Sequence, residues 1–364
     1  MSIREKIREI EKEMARTQIN KATNRHLGVL RARIARLKDR ERERIERSKG
    51  KTGEGYTVRK GGDATAVLLG MPSVGKSTLL NHLTNSNSKV GAYDFTTLKV
   101  IPGVLQFRGA QIQILDIPGI IRGASEGKGL GRRILSTTRS ADLLLIIVEA
   151  FNLGFRDVLL KEIKAIGIRP DEEPPNITIE KRGSGGIVIT DLVGMTEMEE
   201  KGMKEILREY KYHNSRVVVR EDISYDKFVD VLLKNTVYIP TLTVINKIDM
   251  VNKGCVKELQ GAYDFDSIPI SADNDINLET LKEQIFEKLD LIRIYMRPKG
   301  KKTDFEEPLI VKNGSSIENI TDKIHGELKH DLRFTRVWGK SVKFSGQKVG
   351  LNHQPMDEDI ITFY

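Results

Sequence analysis

The stretch AVLLGMPSVGKSTLLNHL, Ala66 to Leu83, decides the fold. It opens as a short apolar run, breaks at Gly70, and resumes as the helical stretch TLLNHLTN. Between the two, Gly70, Gly75, Lys76 and Ser77 satisfy GxxxxGKS in a strand, loop, helix context. Glycines suit a backbone that must curl around phosphates and turn its amide hydrogens inward at a helix amino terminus. Pro72, Ser73, Val74 and Thr78 belong to the same cradle. Lys76 is expected on β and γ phosphates, and Ser77 on a Mg2+ ion.

Outward from this loop, short apolar strands alternate with helical stretches: TAVLLG, QIQILDIPG, ADLLLIIVEA and YIPTLTVINKID. The alternation predicts an α/β fold with a parallel-dominated sheet. About 80 residues separate the third and fourth of these strands, far more than one crossover helix requires. An inserted α/β subdomain is expected there, with helices around Val158 to Ile166 and Met198 to Tyr210. Its strands are expected as a hairpin, NITIEKRGSGGIVIT, turning at Gly183 to Gly186, and as RVVV. Ahead of the core, apolar residues at Ile3, Ile7, Ile10 and Met14, then at Leu27, Leu30, Ile34 and Leu37, predict two amphipathic helices. The resulting division is a basic helical hairpin over 1–48, a Gly-rich linker over 49–63, the core over 64–153 and 237–295, the insertion over 154–236, and a carboxy-terminal module over 296–364. That module follows a helix written LETLKEQIFEKLDLIRIY and reads as strand, helix, strand and terminal strand.

The net charge of +9 is unevenly placed. Residues 1–51 hold 17 Lys and Arg against 8 Asp and Glu, while the other 43 basic and 43 acidic residues cancel. A local surplus of this kind is the footprint of an element that meets phosphate backbones, so RNA is the expected partner of the hairpin. No run approaches the roughly 18 consecutive apolar residues of a spanning helix, and no membrane partner is expected. One cysteine, Cys255, and a charged amino terminus fit a reducing, cytoplasmic setting.

Three further motifs complete the chemistry. DIPG, Asp116 to Gly119, ends the strand QIQIL; its carboxylate is expected in the magnesium shell and the Gly119 amide on a γ phosphate. In AYDFTTL, Thr96 and Thr97 stand where a magnesium-sensing threonine belongs, and Thr97 is favoured. NKID follows the strand TLTVI. Asp249 there accepts the N1 hydrogen and 2-amino group of guanine, a donor pair adenine lacks. Asn246 and Lys247 are expected to brace that loop, and Ser271 and Ala272 of SAD to supply backbone contact near the guanine oxygen. Four motifs in this order imply GTP and GDP as ligands. Lys76, Thr97 and Gly119 are the candidates for hydrolysis. Where a glutamine would orient the attacking water stands Ile120, so unaided turnover is expected to be slow, with Arg122, Arg132 and Arg133 as possible sources of a polar group.

GMPSVGKSTLLN, AYDFTTL and DIPGIIRGASEGKGLGRR together resemble the Obg-related translation GTPases, and NKATNRHLGVLRARIARLK narrows the resemblance to the developmentally regulated GTP-binding protein family. The resemblance runs end to end. It implies a β-grasp TGS domain in VWGKSVKFSGQKVGLNHQPMDEDIITFY, a role in translation directed at the ribosome or RNA through the basic residues 1–51 and that TGS domain, and a stabilising or activating protein partner. It also implies K+ as a stimulating ion among relatives, many of which carry an asparagine where this chain has Ser73. The reading set against it is a nucleotide-regulated RNA- or protein-binding scaffold with negligible hydrolysis.

Overall fold

The computed structural model describes residues 3–18, 20, 23–48, 61–84, 93–95, 98–117, 138–233, 236–251, 266–324 and 332–364. The chain opens with helices α1 (Ile3–Arg16) and α2 (Asn24–Ser48). Thr23 starts the second: its carbonyl accepts the amide of Leu27 at 2.9 Å, and its hydroxyl and amide engage Asn20.

Strand β1 (Ala64–Gly70) leads through the phosphate loop into α3 (Lys76–Leu83). After it come β2 (Tyr93–Phe95), β3 (Leu98–Phe107), β4 (Ala110–Asp116), β5 (Leu143–Glu149) and α4 (Phe155–Ala165). Every residue of β1 is buried, as a parallel strand covered on both faces requires. Short β6 (Ile168–Pro170) precedes β7 (Ile177–Lys181), β8 (Ile187–Asp191), α5 (Glu200–Glu209), β9 (Ser215–Val219), α6 (Tyr225–Leu233) and β10 (Val237–Ile239). The core resumes with β11 (Thr241–Asn246), β12 (Ser267–Pro269) and α7 (Leu278–Lys288). The last module holds β13 (Leu291–Met296), β14 (Leu309–Lys312), α8 (Ile317–Ile324), β15 (Thr335–Trp338), β16 (Gln347–Val349) and β17 (Ile360–Phe363).

Two compact units result, one of residues 1–55 with 167–238 and one of 56–166 with 239–364. In the larger unit a seven-stranded sheet runs β12-β11-β5-β1-β4-β3-β2. Strands β4, β1, β5, β11 and β12 pair in parallel, while β3 and β2 extend the sheet antiparallel. The register aligns Leu68 with Asp116, Gly70 with Ile147 and Asn246 with Glu149, so the carboxyl ends of four strands share one edge. Strand order reverses at β1, the switch point where open α/β sheets bind ligands. The carboxy-terminal sheet, β14-β13-β17-β15-β16, packs Ile292, Ile294, Val337 and Ile361 against Ile317 and Ile320 of α8.

Several expected boundaries shift. The helix expected to open the insertion is α4, which belongs to the larger unit: Arg156 on it donates to Thr243 Oγ1 of β11 at 3.0 Å. The smaller unit therefore takes up the chain at Gly167 rather than at residue 154, and it includes the hairpin expected to stand alone over 1–48. The helix expected to run through LIRIY ends at Lys288, because Asp290 turns to φ 51 and the alternating residues that follow join a sheet as β13. The carboxy-terminal module thus begins at Leu291, ahead of the expected 296. Strands β7 and β8 do not form a hairpin. Strand β9 lies between them, antiparallel to β7 and parallel to β8. The glycine-rich connection wraps Asn214, whose amide donates to Gly183 O and whose carbonyl accepts from Gly186 N. The expected linker lies largely outside the described residues. Among the described residues no helix is long and apolar enough to cross a membrane.

Candidate functional site

The phosphate loop, Met71 to Gly75, turns through two left-handed residues, Ser73 at φ 66 and Gly75 at φ 90. Only glycine fits the second. A Cβ on Gly75 would stand 2.4 Å from Asn246 Nδ2, and one on Gly70 would stand 2.6 Å from the Ile147 carbonyl. Val74 roots the loop in the core, whereas Pro72 and Ser73 are exposed at its rim and Thr78 is half-buried on the first turn of α3. Gly75 begins that helix by accepting the Leu79 amide at 2.9 Å. The first turn of an α-helix leaves its leading amides without intrahelical partners, a favourable place for an anion, and here that turn follows directly on the loop.

Lys76 is buried and folds back on the loop, donating from Nζ to Met71 O at 2.8 Å and to Gly70 O at 3.2 Å. Burial lowers its pKa, and the charge of Asp116 opposes that shift. Ser77 Oγ donates to Asp116 Oδ2 at 2.6 Å. The other carboxylate oxygen, Asp116 Oδ1, is buried with no hydrogen-bond partner among the described residues. An orphaned carboxylate oxygen beside a serine hydroxyl is a hard oxygen donor set, and it fits a magnesium ion.

On the base side, Asn246 ends β11 and is 2% exposed. Its Nδ2 donates to Val74 O at 2.9 Å, and its Oδ1 accepts the Ala272 amide at 3.0 Å. Lys247 adopts φ 66 and donates from Nζ to Ser73 O at 2.8 Å while pairing with Glu149 Oε1 at 2.5 Å. The exposed Asp249 follows on a single helical turn, Ile248–Met250. Ser271 is fully buried; its hydroxyl accepts the Asn274 amide at 3.3 Å, and its backbone bridges to Ile276. These contacts gather Gly70 to Thr78, Asp116, Asn246 to Asp249 and Ser271 to Ala272 at one edge of the sheet. Thr96, Thr97, Gly119, Ile120, Arg122, Arg132 and Arg133 lie outside the described residues.

Glu149 and Phe151 were not singled out from the sequence. Glu149 holds Lys247, and Phe151, 59% exposed, lies under the Lys247 ammonium at 5.9 Å. The signal for Glu149 was a carboxylate closing the apolar strand ADLLLIIVE, next to a strand that ends in Asn246.

Residues 65–181 match the family model of the 50S ribosome-binding GTPase, 184–291 that of the C-terminal region of the same domain, and 292–364 the TGS domain. The chain is 48% identical over 365 residues to a GTP-binding protein of Methanocaldococcus jannaschii, covering all of this chain and 93% of the other. It is 45% identical to GTP-binding protein 1 of Schizosaccharomyces pombe over 100% of this chain and 99% of that one. It is 44% identical to Developmentally-regulated GTP-binding protein 2 of Bos taurus over 99% of each.

Proposed function

The chain belongs to the developmentally regulated GTP-binding proteins, P-loop GTPases that end in a TGS domain, and from that premise we propose that it hydrolyses GTP and couples the change to a ribosome or RNA partner in translation. The observation that carries the reading is the double engagement of Asn246 with Val74 and Ala272. One side chain holds the phosphate loop and the base loop in register, so a nucleotide spanning both meets a site with little left to order. Lys76 exchanges the carbonyls of Gly70 and Met71 for phosphate oxygens, Asp249 accepts the N1 hydrogen and 2-amino group of guanine, and the Ala272 amide lies near the guanine oxygen. Magnesium, held by Ser77 and Asp116, would neutralise charge developing on the phosphates. By motif, Thr97 and Gly119 sense the γ phosphate.

The ribosomal direction is supported by the description of the matching family model and by the basic surplus of residues 1–51. A cytoplasmic setting and an activating protein partner go with it. Ile120 favours a second reading, in which the nucleotide gates an RNA- or protein-binding scaffold and is scarcely hydrolysed. Guanine selection is tested by titrating the wild type and Asp249→Asn with fluorescent GDP, XDP and ADP. Wild type is expected to prefer GDP and the variant XDP, since an asparagine amide donates to the xanthine 2-carbonyl. An unchanged preference would remove Asp249 from base recognition, and ADP binding as tight as GDP would sink the guanine site.

A further inference from the structure

Inside the smaller unit, α2 and α5 share an apolar seam. Val29, Ala32, Ile206 and Leu207 belong to it, and the Tyr210 hydroxyl donates to the Ala32 carbonyl at 3.1 Å. Beside this seam opens a pocket of about 360 Å³, near the lower end of the range for small-molecule sites. Its walls are charged. Arg33 and Arg36 line it from α2 beside the buried Val29. Glu205, Arg208 and Glu209 line it from α5, and Lys211 follows just past that helix. Spacings of three and four residues set each group on one face of its helix.

The charges do not balance. Four cations face two carboxylates, and one of the carboxylates is shared: Glu209 holds Arg36 at 2.7 Å and Arg33 only at 3.7 Å. Arg208 and Lys211 are exposed and have no carboxylate partner among the described residues. A solvated helix face interleaves its signs, whereas a concave site with a surplus of one sign gathers counter-charge. One valine is too little apolar wall to hold a base or an acyl chain. Guanidinium forks, in contrast, match phosphate oxygens two at a time. Because the unpaired cations come from both helices, two linked phosphates reach them better than one. We propose that this pocket binds a small anion carrying two linked phosphates, free or as the phosphate chain of a nucleotide. Arg33, Arg208 and Lys211 engage it, and Arg36 is anchored beside them by Glu209. Such a ligand ties the hairpin to the insertion. The pocket belongs to the smaller unit and the phosphate loop to the larger, and the proposal stands independently of the RNA-directed reading.

The full chain is kept in excess GDP and magnesium, so that its phosphate loop is filled, and is titrated calorimetrically with pyrophosphate. A second arm uses ADP. Arg208→Gln/Lys211→Gln and Glu205→Gln are compared with the wild type and with Lys38→Gln/Arg40→Gln, a control further along α2, each fold checked by thermal melting. One pyrophosphate per chain is expected, bound about tenfold more weakly by Arg208→Gln/Lys211→Gln and about threefold more tightly by Glu205→Gln. The control is expected to stay within a factor of about two of wild type, and hydrogen exchange to slow in α2 and α5 on binding. The tighter binder of the two arms names the source, pyrophosphate for a free diphosphate and ADP for a nucleotide chain. No saturable binding in either arm, or binding that Arg208→Gln/Lys211→Gln leaves unchanged, would overturn the site. A loss as large in the control would reduce it to diffuse attraction and overturn it equally. Single-stranded RNA that displaces pyrophosphate at equal phosphate concentration would assign these cations to an RNA surface and overturn the small ligand.

Discussion

Gly75 carries two constraints at once, a left-handed backbone and a side-chain amide pressed against the place a Cβ would occupy. Gly75→Ala is expected to lose roughly a hundredfold in GDP affinity, since both strain and a displaced Asn246 act on the same loop; calorimetric titration checks this, and an affinity within a factor of about two of wild type would contradict it. Glycine and lysine spacing made this loop legible in the sequence, because few other backbones need that pattern at a strand-to-helix turn. Glu149 was not legible in the same way. Its role depends on β5 and β11 lying side by side in register, which brings a strand-end carboxylate to Lys247, and no local pattern encodes that pairing. Removing the carboxylate with Glu149→Gln leaves the half-buried Lys247 paired only with a carbonyl, and GDP is expected to dissociate about three- to tenfold faster, read by stopped-flow release of a fluorescent analogue.

At the scale of elements, Asn246 acts as a clamp between two loops that are far apart in sequence. Asn246→Ala removes both hydrogen bonds and leaves a buried amide and a carbonyl unpaired. A loss of about 2 to 4 kcal/mol is expected in thermal unfolding without nucleotide, larger than a surface substitution gives. The parallel strands of the core were legible because continuous apolar runs such as LLLIIV fit only a doubly covered sheet. The insertion was less so. A glycine-rich connection between two β-branched runs predicts a hairpin from local chemistry alone, yet β9, some 25 residues later, takes the central place. Its arrival is marked by Asn214, which fills the loop of Gly183 to Gly186. Asn214→Ala is expected to lower stability by about 1 kcal/mol, and hydrogen exchange is expected to quicken in β7 and β8 before the core sheet.

For the whole molecule, the basic hairpin is less free than its charge suggested. Arg31 pairs with Asp226 at 3.3 Å, and Arg36 and Arg33 share Glu209 at 2.7 and 3.7 Å. These arginines join the hairpin to the insertion within one compact unit, alongside a shared core of Val29, Ala32, Ile206 and Phe228. Sequence periodicity exposed the helices but not their partner, since an amphipathic face shows only that something covers it. Lys38, Arg40 and Arg44 are exposed on the same helix and are the better probes of RNA contact. Replacing all three with glutamine is expected to weaken ribosome association and to reduce its salt slope by up to about three, without lowering the melting temperature. The most direct test of the account is phosphate release from GTP by the purified chain with magnesium, in sodium and in potassium buffer, with and without ribosomes from a matched source. Slow turnover of GTP but not ATP, rising when ribosomes are added, is the predicted result; ATP turned over as readily as GTP, or tight GTP binding with no turnover under any of the four conditions, would contradict it.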